Sequence, residues 1–305
     1  MRIGLIGLGK MGANLAMNFK DHNHDVLGYD LSKEACNSLA EQGIRIAENE
    51  DQLIQALDKP RVIWLMLPCG NPTDSTIRML SEKLDDGDIV IDGGNSRYTD
   101  SIQHAKVLEK NNIRFLDCGT SGGVSGARNG ACLMIGGDQS AFDHLKSVFE
   151  DISVEDGMIY TGEAGSGHFM KMVHNGIEYG MMQAIGEGFQ LMKESGYDYD
   201  LVEVAKNWNH GSVIRGWLME IVQNQLEQDA DLSDVVGEVD ASGEAKWTIE
   251  TALEKNISMP VIALSLMARS ASKDHEKFAC KMVAVMRNGF GGHNVMKKEI
   301  GDTVE

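Results

Sequence analysis

The chain has 305 residues, of which 42% are hydrophobic and 24% charged, a composition that excludes disordered and collagen-like proteins and suggests roughly two domains. Its 28 basic and 46 acidic residues give a net charge of −18, which argues against nucleic acid as a partner. No apolar run is long enough to cross a membrane, and the N-terminus resembles a strand and a turn rather than a signal peptide. Five scattered cysteines without a CxxC pair indicate reduced thiols in a cytoplasmic protein and argue against a structural zinc site.

The first half of the chain alternates short apolar runs with amphipathic stretches. The apolar runs predict strands at residues 2–7, 25–30, 61–67, 88–94, 113–119 and 131–137. Helical spacing of apolar residues predicts helices at 10–20, 33–42 and 73–84. This alternation is typical of an α/β fold with a doubly wound, mostly parallel sheet of the Rossmann type.

The second half predicts an all-α domain, with helices at residues 168–194, 200–226, 241–255 and 259–288. The boundary is predicted in the glycine-rich segment near 160–167, which gives an NAD-binding Rossmann-type domain at 1–165 and a helical domain at 166–305. The helices at 168–194 and 259–288 carry more apolar and small residues than two surface helices should expose. This excess predicts a homodimer or homotetramer that assembles through the helical domain.

A GxGxxG motif, formed by Gly7, Gly9 and Gly12, follows the first strand and opens the first helix. The glycines allow a tight turn, close approach of a diphosphate and close helix–strand packing, and the helix N-terminus offers free N–H groups. Asp30 ends the second strand, where a carboxylate can accept hydrogen bonds from ribose hydroxyls and repels a 2′-phosphate, so NAD is favoured over NADP. The other predicted cofactor contacts lie in the motif loop and at later strand ends: Leu8, Lys10, Met11, Leu67, Pro68 and Asn95.

Small and polar residues follow three of the predicted strands. Ligands of such sheets bind beyond the carboxyl ends of the strands. Asn95, Ser121, Gly122 and Gly123 lie at these ends and are candidates to meet the nicotinamide or a substrate. Ordinary strand-ending turns would give the same pattern, so the assignment needs further support.

The segment 165–180 carries a polar stripe on an otherwise apolar helix. Lys171, His174, Asn175 and Glu178 fall at offsets 0, 3, 4 and 7, and therefore share one helix face. A stripe of this kind must be solvated, paired or functional. A partly desolvated lysine can act as a base, Glu178 as an acid on another substrate atom, and the two residues between them can bind hydroxyls or a carboxylate. The pattern predicts oxidation of a secondary alcohol, in which Lys171 takes the hydroxyl proton while hydride passes to NAD.

On these residues the chain resembles the decarboxylating 6-phosphogluconate dehydrogenases, of the β-hydroxyacid dehydrogenase superfamily, over essentially its full length. The resemblance is carried by KMVHNGIEYG at 171–180, DGGNS at 92–96, SGGVSGARNG at 121–130, EAKWT at 244–248 and MARS at 267–270. It implies that Lys171 removes the C3 hydroxyl proton and that Glu178 protonates C1 after carbon dioxide leaves, with no metal. It implies that the substrate is held by Asn95, Ser121, Gly122, Gly123, His174, Asn175, Tyr179, Lys246, Thr248, Arg269, Arg287 and His293.

Four of these residues, Tyr179, Lys246, Thr248 and Arg269, are implied to bind around the phosphate end of the substrate. Arg287 and His293 match a tail element that, in longer members, contacts substrate from the neighbouring subunit. The chain is much shorter than those members and looks like a short form of the family. This leaves open whose site the tail serves.

Two other functions remain open at this stage. One is an NAD-dependent dehydrogenase of a non-phosphorylated β-hydroxyacid such as 3-hydroxyisobutyrate, and the other is a nucleotide-binding sensor that has lost catalysis. Lys246, Arg269 and Arg287 favour a phosphorylated sugar acid, because a dianionic phosphate needs several cations. The presence of Lys171 and Glu178 argues against the sensor.

Overall fold

A single sheet organises the first half of the chain in the computed structural model, which describes residues 1–296. Its eight strands are β1 Arg2–Ile6, β2 Asp25–Tyr29, β3 Arg45–Ile46, β4 Val62–Leu65, β5 Ile89–Asp92, β6 Arg114–Ser121, β7 Ala131–Gly137 and β8 Ser153–Gly162. Their order is β3-β2-β1-β4-β5-β6-β7-β8, and all neighbours are parallel except β6 and β7. The order reverses between β1 and β4, which is where a sheet of this class binds its ligand.

Helices cover both faces of the sheet, because its central strands are apolar on both sides. The helices of this half are α1 Lys10–Asp21, α2 Lys33–Glu41, α3 Glu50–Gln55, α4 Asn71–Lys83, α5 Tyr98–Glu109, α6 Gly123–Asn129 and α7 Gln139–Ile152. On one face Trp64 of β4 packs edge-on against Phe19 of α1 and lies beside Phe149 of α7. On the other face the fully buried Ile77 and Leu80 of α4 belong to a second core. The predicted fold class is confirmed.

The second half is helical, as predicted, but two of its predicted helices are wrong in extent. The structure has α8 Ser166–Lys193, α9 Leu201–Asn209, α10 Trp217–Gln228, α11 Glu244–Glu254, α12 Pro260–Ser272 and α13 Phe278–Gly291. The predicted helix at 200–226 is broken between α9 and α10, where Gly211 and Gly216 have positive φ angles. The predicted helix at 259–288 is broken before α13, where Lys277 takes a left-handed conformation. The first break contains the apolar residues Val213 and Ile214, so the apolar pattern does not reveal it. The second break, at 273–277, contains only polar residues, and the prediction overlooked this interruption.

The described chain forms two compact units whose division runs through α8 and α12. The first unit comprises residues 1–181 and 242–263, and the second comprises 182–241 and residues from 264 onward. The boundary near 160–167 remains a prediction, and the end of the predicted helical domain, 297–305, lies outside the described residues. Residues 1–296 contain neither a helix long and apolar enough to span a bilayer nor a group of three His, Cys, Asp or Glu side chains placed to hold a metal ion.

Candidate active site

The glycine motif forms the turn that a dinucleotide requires. Gly7 has a φ of +98°, and a Cβ atom there would overlap the carbonyl oxygen of Met66. A Cβ atom on Gly12 would overlap the carbonyl oxygen of Gly7, so a glycine lets α1 pack closely on β1. No atom lies within 4 Å of a Cβ placed on Gly9, the N-cap of α1, and no side chain caps that helix. The loop therefore offers open space and free N–H groups, which fit a diphosphate.

Asp30 is fixed against this loop by two backbone donors. The N–H of Leu8 donates to Oδ2 over 2.6 Å, and the N–H of Ser32 donates to Oδ1 over 2.7 Å. Each carboxylate oxygen keeps a further lone pair that a ribose hydroxyl can use. The Leu8 side chain is buried, so this residue can contact a cofactor only through its backbone. The remaining predicted contacts have at least partly accessible side chains: Lys10, Met11, Leu67, Pro68 and Asn95.

Strand β6 holds α8 in place through Asp117 and Gly119. The fully buried Asp117 carboxylate accepts hydrogen bonds from the N–H groups of Gly165, over 2.7 Å, and His168, over 2.8 Å. A carboxylate at this position satisfies the unpaired donors of a helix N-terminus and complements its positive end. A Cβ atom on Gly119 would overlap the Cβ atom of Lys171, so only glycine leaves room for the lysine. The sequence reasoning missed both residues, although a buried acid and a glycine inside an apolar strand were visible signals.

Four predicted site residues form one hydrogen-bonded chain. Lys171 is 7% exposed and donates from Nζ to Asn175 Oδ1 over 2.8 Å. The same oxygen lies 3.0 Å from His174 Nδ1, and His174 Nε2 lies 3.1 Å from the Ser121 hydroxyl. Because an amide oxygen only accepts, Nδ1 carries the proton, and in the neutral imidazole Nε2 accepts from Ser121. This series of hydrogen bonds links the end of β6 to the polar face of α8.

Burial gives Lys171 the property that a base requires. Desolvation lowers the pKa of its ammonium group from the ordinary lysine value, while the charges of Glu178, Glu244 and Cys132 act in the opposite direction. Glu178 lies at the more open end of the stripe, with 40% of its side chain exposed and Oε2 3.9 Å from His174 Nδ1. The face thus carries a buried amine and, about two turns away, a carboxyl group that solvent can reach.

Other predicted substrate residues in the first unit surround the same helix or lie at neighbouring strand ends. The Tyr179 hydroxyl lies 3.4 Å from the Ser242 hydroxyl, and Thr248 donates to the carbonyl oxygen of Met172 over 2.9 Å. Lys246 is largely exposed, and its Nζ lies 3.8 Å from Glu250 Oε1. Three further residues follow strands: Asn95 is exposed after β5, and Gly122 and Gly123 have positive φ angles at the start of α6.

The remaining predicted substrate residues belong to the second unit. Arg269 donates from Nη1 to the carbonyl oxygen of Asp240 over 2.9 Å. Arg287 is exposed on α13, and His293 is exposed just beyond its end. The carbonyl oxygen of His293 accepts a hydrogen bond from Asn288 over 2.8 Å, which folds the segment back on the helix. Their part in a substrate site remains a prediction.

Comparisons with known proteins identify both halves of the chain. Residues 2–162 match the family model of the NAD binding domain of 6-phosphogluconate dehydrogenase, and residues 167–303 match that of its C-terminal domain. The chain is 42% identical over 301 residues to the "6-phosphogluconate dehydrogenase, NAD(+)-dependent, decarboxylating" of Haloferax volcanii, covering 98% of this chain and 100% of that one. It is 49% identical over 298 residues to the Bacillus subtilis protein YqeC, provisionally named as a 6-phosphogluconate dehydrogenase, with 98% and 100% coverage.

Two solved structures show the same fold. The 6-phosphogluconate dehydrogenase of Plasmodium falciparum, described in complex with NADP+ and with 6-phosphogluconate, superimposes with a TM-score of 0.83 at 32% identity. The match covers 99% of this chain and 67% of that one. The 3-hydroxyisobutyrate dehydrogenase of Mycobacterium tuberculosis superimposes with a TM-score of 0.71 at 22% identity, over 92% of this chain and 94% of that one. The second likeness is a likeness of fold alone.

Proposed function

The chain belongs to the 6-phosphogluconate dehydrogenase family, and we propose that it oxidises and decarboxylates 6-phosphogluconate to ribulose 5-phosphate and carbon dioxide. The observation that carries the proposal is the buried Lys171, hydrogen-bonded to Asn175 on the helix that also bears Glu178. A binding protein gains little from a desolvated amine with a lowered pKa, because burying the charge costs stability. A base that works near neutral pH requires that property.

Lys171 begins the proposed reaction as the neutral amine and takes the proton of the C3 hydroxyl. A bound nicotinamide supplies the chemistry of accepting hydride from C3. The product is a β-keto acid, whose carboxylate leaves as carbon dioxide because the C3 carbonyl accepts the electron pair. The Lys171 ammonium group donates a hydrogen bond to that oxygen and stabilises the enolate. The sequence of steps needs no metal, since the lysine supplies the positive charge.

Glu178 completes the proposed reaction by protonating C1 of the enediol. Its partial exposure suits this role, because the group must be recharged with a proton after every cycle. His174, Asn175 and Ser121 are proposed to hold the sugar acid through the hydrogen-bonding groups that now join them. Substrate binding would then replace hydrogen bonds among these three side chains with hydrogen bonds to the substrate.

We infer that the cofactor is NAD rather than NADP. Asp30 presents a carboxylate at the position where a ribose is expected, and a 2′-phosphate there would meet its negative charge. The related Haloferax volcanii protein is named as NAD(+)-dependent, whereas the Plasmodium falciparum structure is described with NADP+. Comparison therefore supports a nicotinamide dinucleotide, and the preference rests on Asp30.

The proposal is tested by the rate of reduced cofactor formation, measured at 340 nm with each of the two cofactors and three substrates. We expect rapid turnover with NAD and 6-phosphogluconate, and little with NADP, gluconate or 3-hydroxyisobutyrate. Activity with 3-hydroxyisobutyrate alone would replace the proposal with the dehydrogenase of a non-phosphorylated acid and leave Lys246, Arg269 and Arg287 without a substrate role. Binding of NAD without turnover of any substrate would support the sensor.

We also infer a homodimer or homotetramer built through the helical part of the chain. None of the residues of α13 is buried by the described chain. Its large apolar side chains recur every fourth residue, at Phe278, Met282, Met286 and Phe290, with exposed fractions of 66%, 44%, 53% and 79%. Residues four apart share a helix face, so these side chains form one continuous stripe. A second copy of the chain is the proposed cover, which light scattering at several protein concentrations tests.

A further inference from the structure

Glu244 begins α11 and lies in the first unit beside the catalytic helix. It is 4% exposed. The Thr248 hydroxyl lies 2.8 Å from the carbonyl oxygen of Glu244 and 2.9 Å from that of Met172, the residue after Lys171. One hydroxyl therefore fastens the first turn of α11 to the turn of α8 that presents the lysine.

The carboxylate of Glu244 is incompletely satisfied. Its Oε2 atom is buried and finds no hydrogen-bond partner among the residues that the structure describes. An unpaired buried acid is costly unless an opposite charge compensates it. Protonated Lys171, on α8, carries such a charge, and the charge of Glu244 acts to raise the pKa of Lys171 against the larger effect of burial. The ammonium group of Lys171 in turn donates to a neutral amide, Asn175, and not to a carboxylate.

We propose that Glu244 is a positioning residue for the reaction of the preceding section: its buried carboxylate faces Lys171 from α11 and stabilises the ammonium form. This inference rests on the proposed function. In that reaction Lys171 must hold the substrate proton while carbon dioxide leaves, and a neighbouring negative charge favours that state. Desolvation alone would favour early loss of the proton, so the two effects oppose each other.

The titratable groups around Lys171 come from three elements. His174 and Glu178 lie on its own helix, Cys132 is on β7, and Glu244 is on α11. Strand β6 contributes the uncharged Gly119 and Ser121. Glu178 gives up its proton in the proposed reaction, so its charge changes during each cycle. Glu244 has no proton-transfer step, so it supplies the constant part of the field.

The test compares the pH dependence of kcat/KM for wild-type protein, E244Q and the control E254Q. Glu254 is exposed at the other end of the same helix, about 15 Å away for 10 residues of rise. Removing the negative charge of Glu244 destabilises the ammonium form of Lys171. The low-pH limb of the kcat/KM profile, where protonation of Lys171 reduces activity, should therefore move to lower pH by about 1 unit, as for loss of one nearby opposite charge. The limb should stay in place in E254Q. An unmoved limb in an active E244Q would overturn the inference, whereas a wild-type protein inactive on 6-phosphogluconate would overturn the proposed function instead.

A second measurement needs no substrate. The pKa of Lys171 can be followed by NMR in protein labelled at lysine Cε, with the resonance assigned by its loss in K171R. The pKa should be lower in E244Q than in wild-type protein and E254Q, and E244D, which keeps the charge, should restore most of the difference. Equal pKa values in E244D and E244Q would show that Glu244 acts through packing and not through its charge. This readout also decides the question if E244Q proves inactive.

Discussion

Helix α8 buries polar side chains, whereas helix α13 leaves large apolar side chains exposed. In its first-unit portion α8 buries His168, Lys171 and Asn175, while Met170 and Ile177 on the same helix are exposed by 41% and 52%. Helix α13, in the second unit, buries nothing and presents a stripe of four large apolar side chains. A helix of a single globular chain normally turns its apolar face inward, so both helices depart from the usual pattern.

This difference suits the two helices to different proposed roles, α8 in the reaction and α13 in assembly of the oligomer. The buried polar side chains of α8 have partners within the chain, such as Asn175 for Lys171 and Ser101 for Nδ1 of His168, whereas Nε2 of His168 has none among the described residues. Such hydrogen bonds offset the cost of desolvating the polar groups and hold them in one arrangement. The stripe of α13 has no such cover among the described residues. We therefore expect changes in the polar stripe of α8 to alter the reaction and changes in the apolar stripe of α13 to alter the oligomer.

The largest effect is expected when the proposed base is removed. K171M keeps the volume of the side chain and removes the amine, so kcat/KM with 6-phosphogluconate should fall by about 10²–10⁴, the range for loss of a general base. Binding of NADH, followed by its fluorescence, should persist. The control K193M removes an exposed lysine at the far end of α8, paired with Asp231, and should retain activity. A K171M protein within tenfold of wild type would show that another group is the base.

Substitution of the proposed acid, Glu178, should have a smaller effect on the rate, and at a step after hydride transfer. E178Q should lower the steady-state rate by about 10², because C1 protonation then depends on water. The first turnover should still produce NADH at nearly the wild-type rate, since Glu178 acts after hydride transfer. Stopped-flow absorbance at 340 nm separates the two phases. A first turnover slowed as much as the steady state would place Glu178 earlier in the reaction.

Substitution of Gly119, which packs against Lys171, should lower both the activity and the stability of the protein. G119A places a Cβ atom on that of Lys171, so we expect a loss of about 1–3 kcal/mol in the free energy of unfolding, as for overpacking, together with reduced activity. The control G186A lies on α8 with nothing within 4 Å of the added Cβ atom. It should be neutral or stabilising by up to ~1 kcal/mol, because alanine favours helix. Denaturant unfolding measures both, and equal stabilities would contradict the packing of Lys171 on β6.

Changes in the apolar stripe of α13 should alter the mass of the oligomer. The double variant M286S/F290S removes half of the stripe, so its oligomer should dissociate at a higher protein concentration than the wild-type oligomer. Light scattering across a concentration series measures this. The control V154S removes an exposed apolar side chain of β8 and should leave the mass unchanged. A monomeric wild-type protein at every concentration would contradict the proposed interface.

Much of the fold could be predicted because apolar runs and glycines act locally. The strands at β1, β2 and β4–β7 and the glycine motif follow from neighbouring residues in the chain. Strand β3 has only two residues, and β8 includes a polar Glu-Asp-Gly segment, so neither carries an apolar pattern. The cytoplasmic location and the domain boundary remain predictions.

The candidate site could be predicted only in part, because some of its members act across long sequence separations. The polar stripe of α8 is visible at helical spacing, and Ser121 was found as a strand end. Asp117 acts on N–H groups 48 and 51 residues away, and Glu244, which raises the pKa of Lys171, belongs to a different helix. An acid inside an apolar strand is visible in the sequence, but no local pattern identifies the distant groups that it contacts in the folded chain.

The most direct test of the central claim follows both products of one reaction. Wild-type protein is given NAD and 6-phosphogluconate labelled with ¹³C at C1, and NADH and labelled carbon dioxide are measured together. Oxidative decarboxylation predicts equal amounts of both, formed at the same steady-state rate and lost together in K171M. NADH without labelled carbon dioxide would show a simple dehydrogenase, and the absence of both would contradict the proposed reaction.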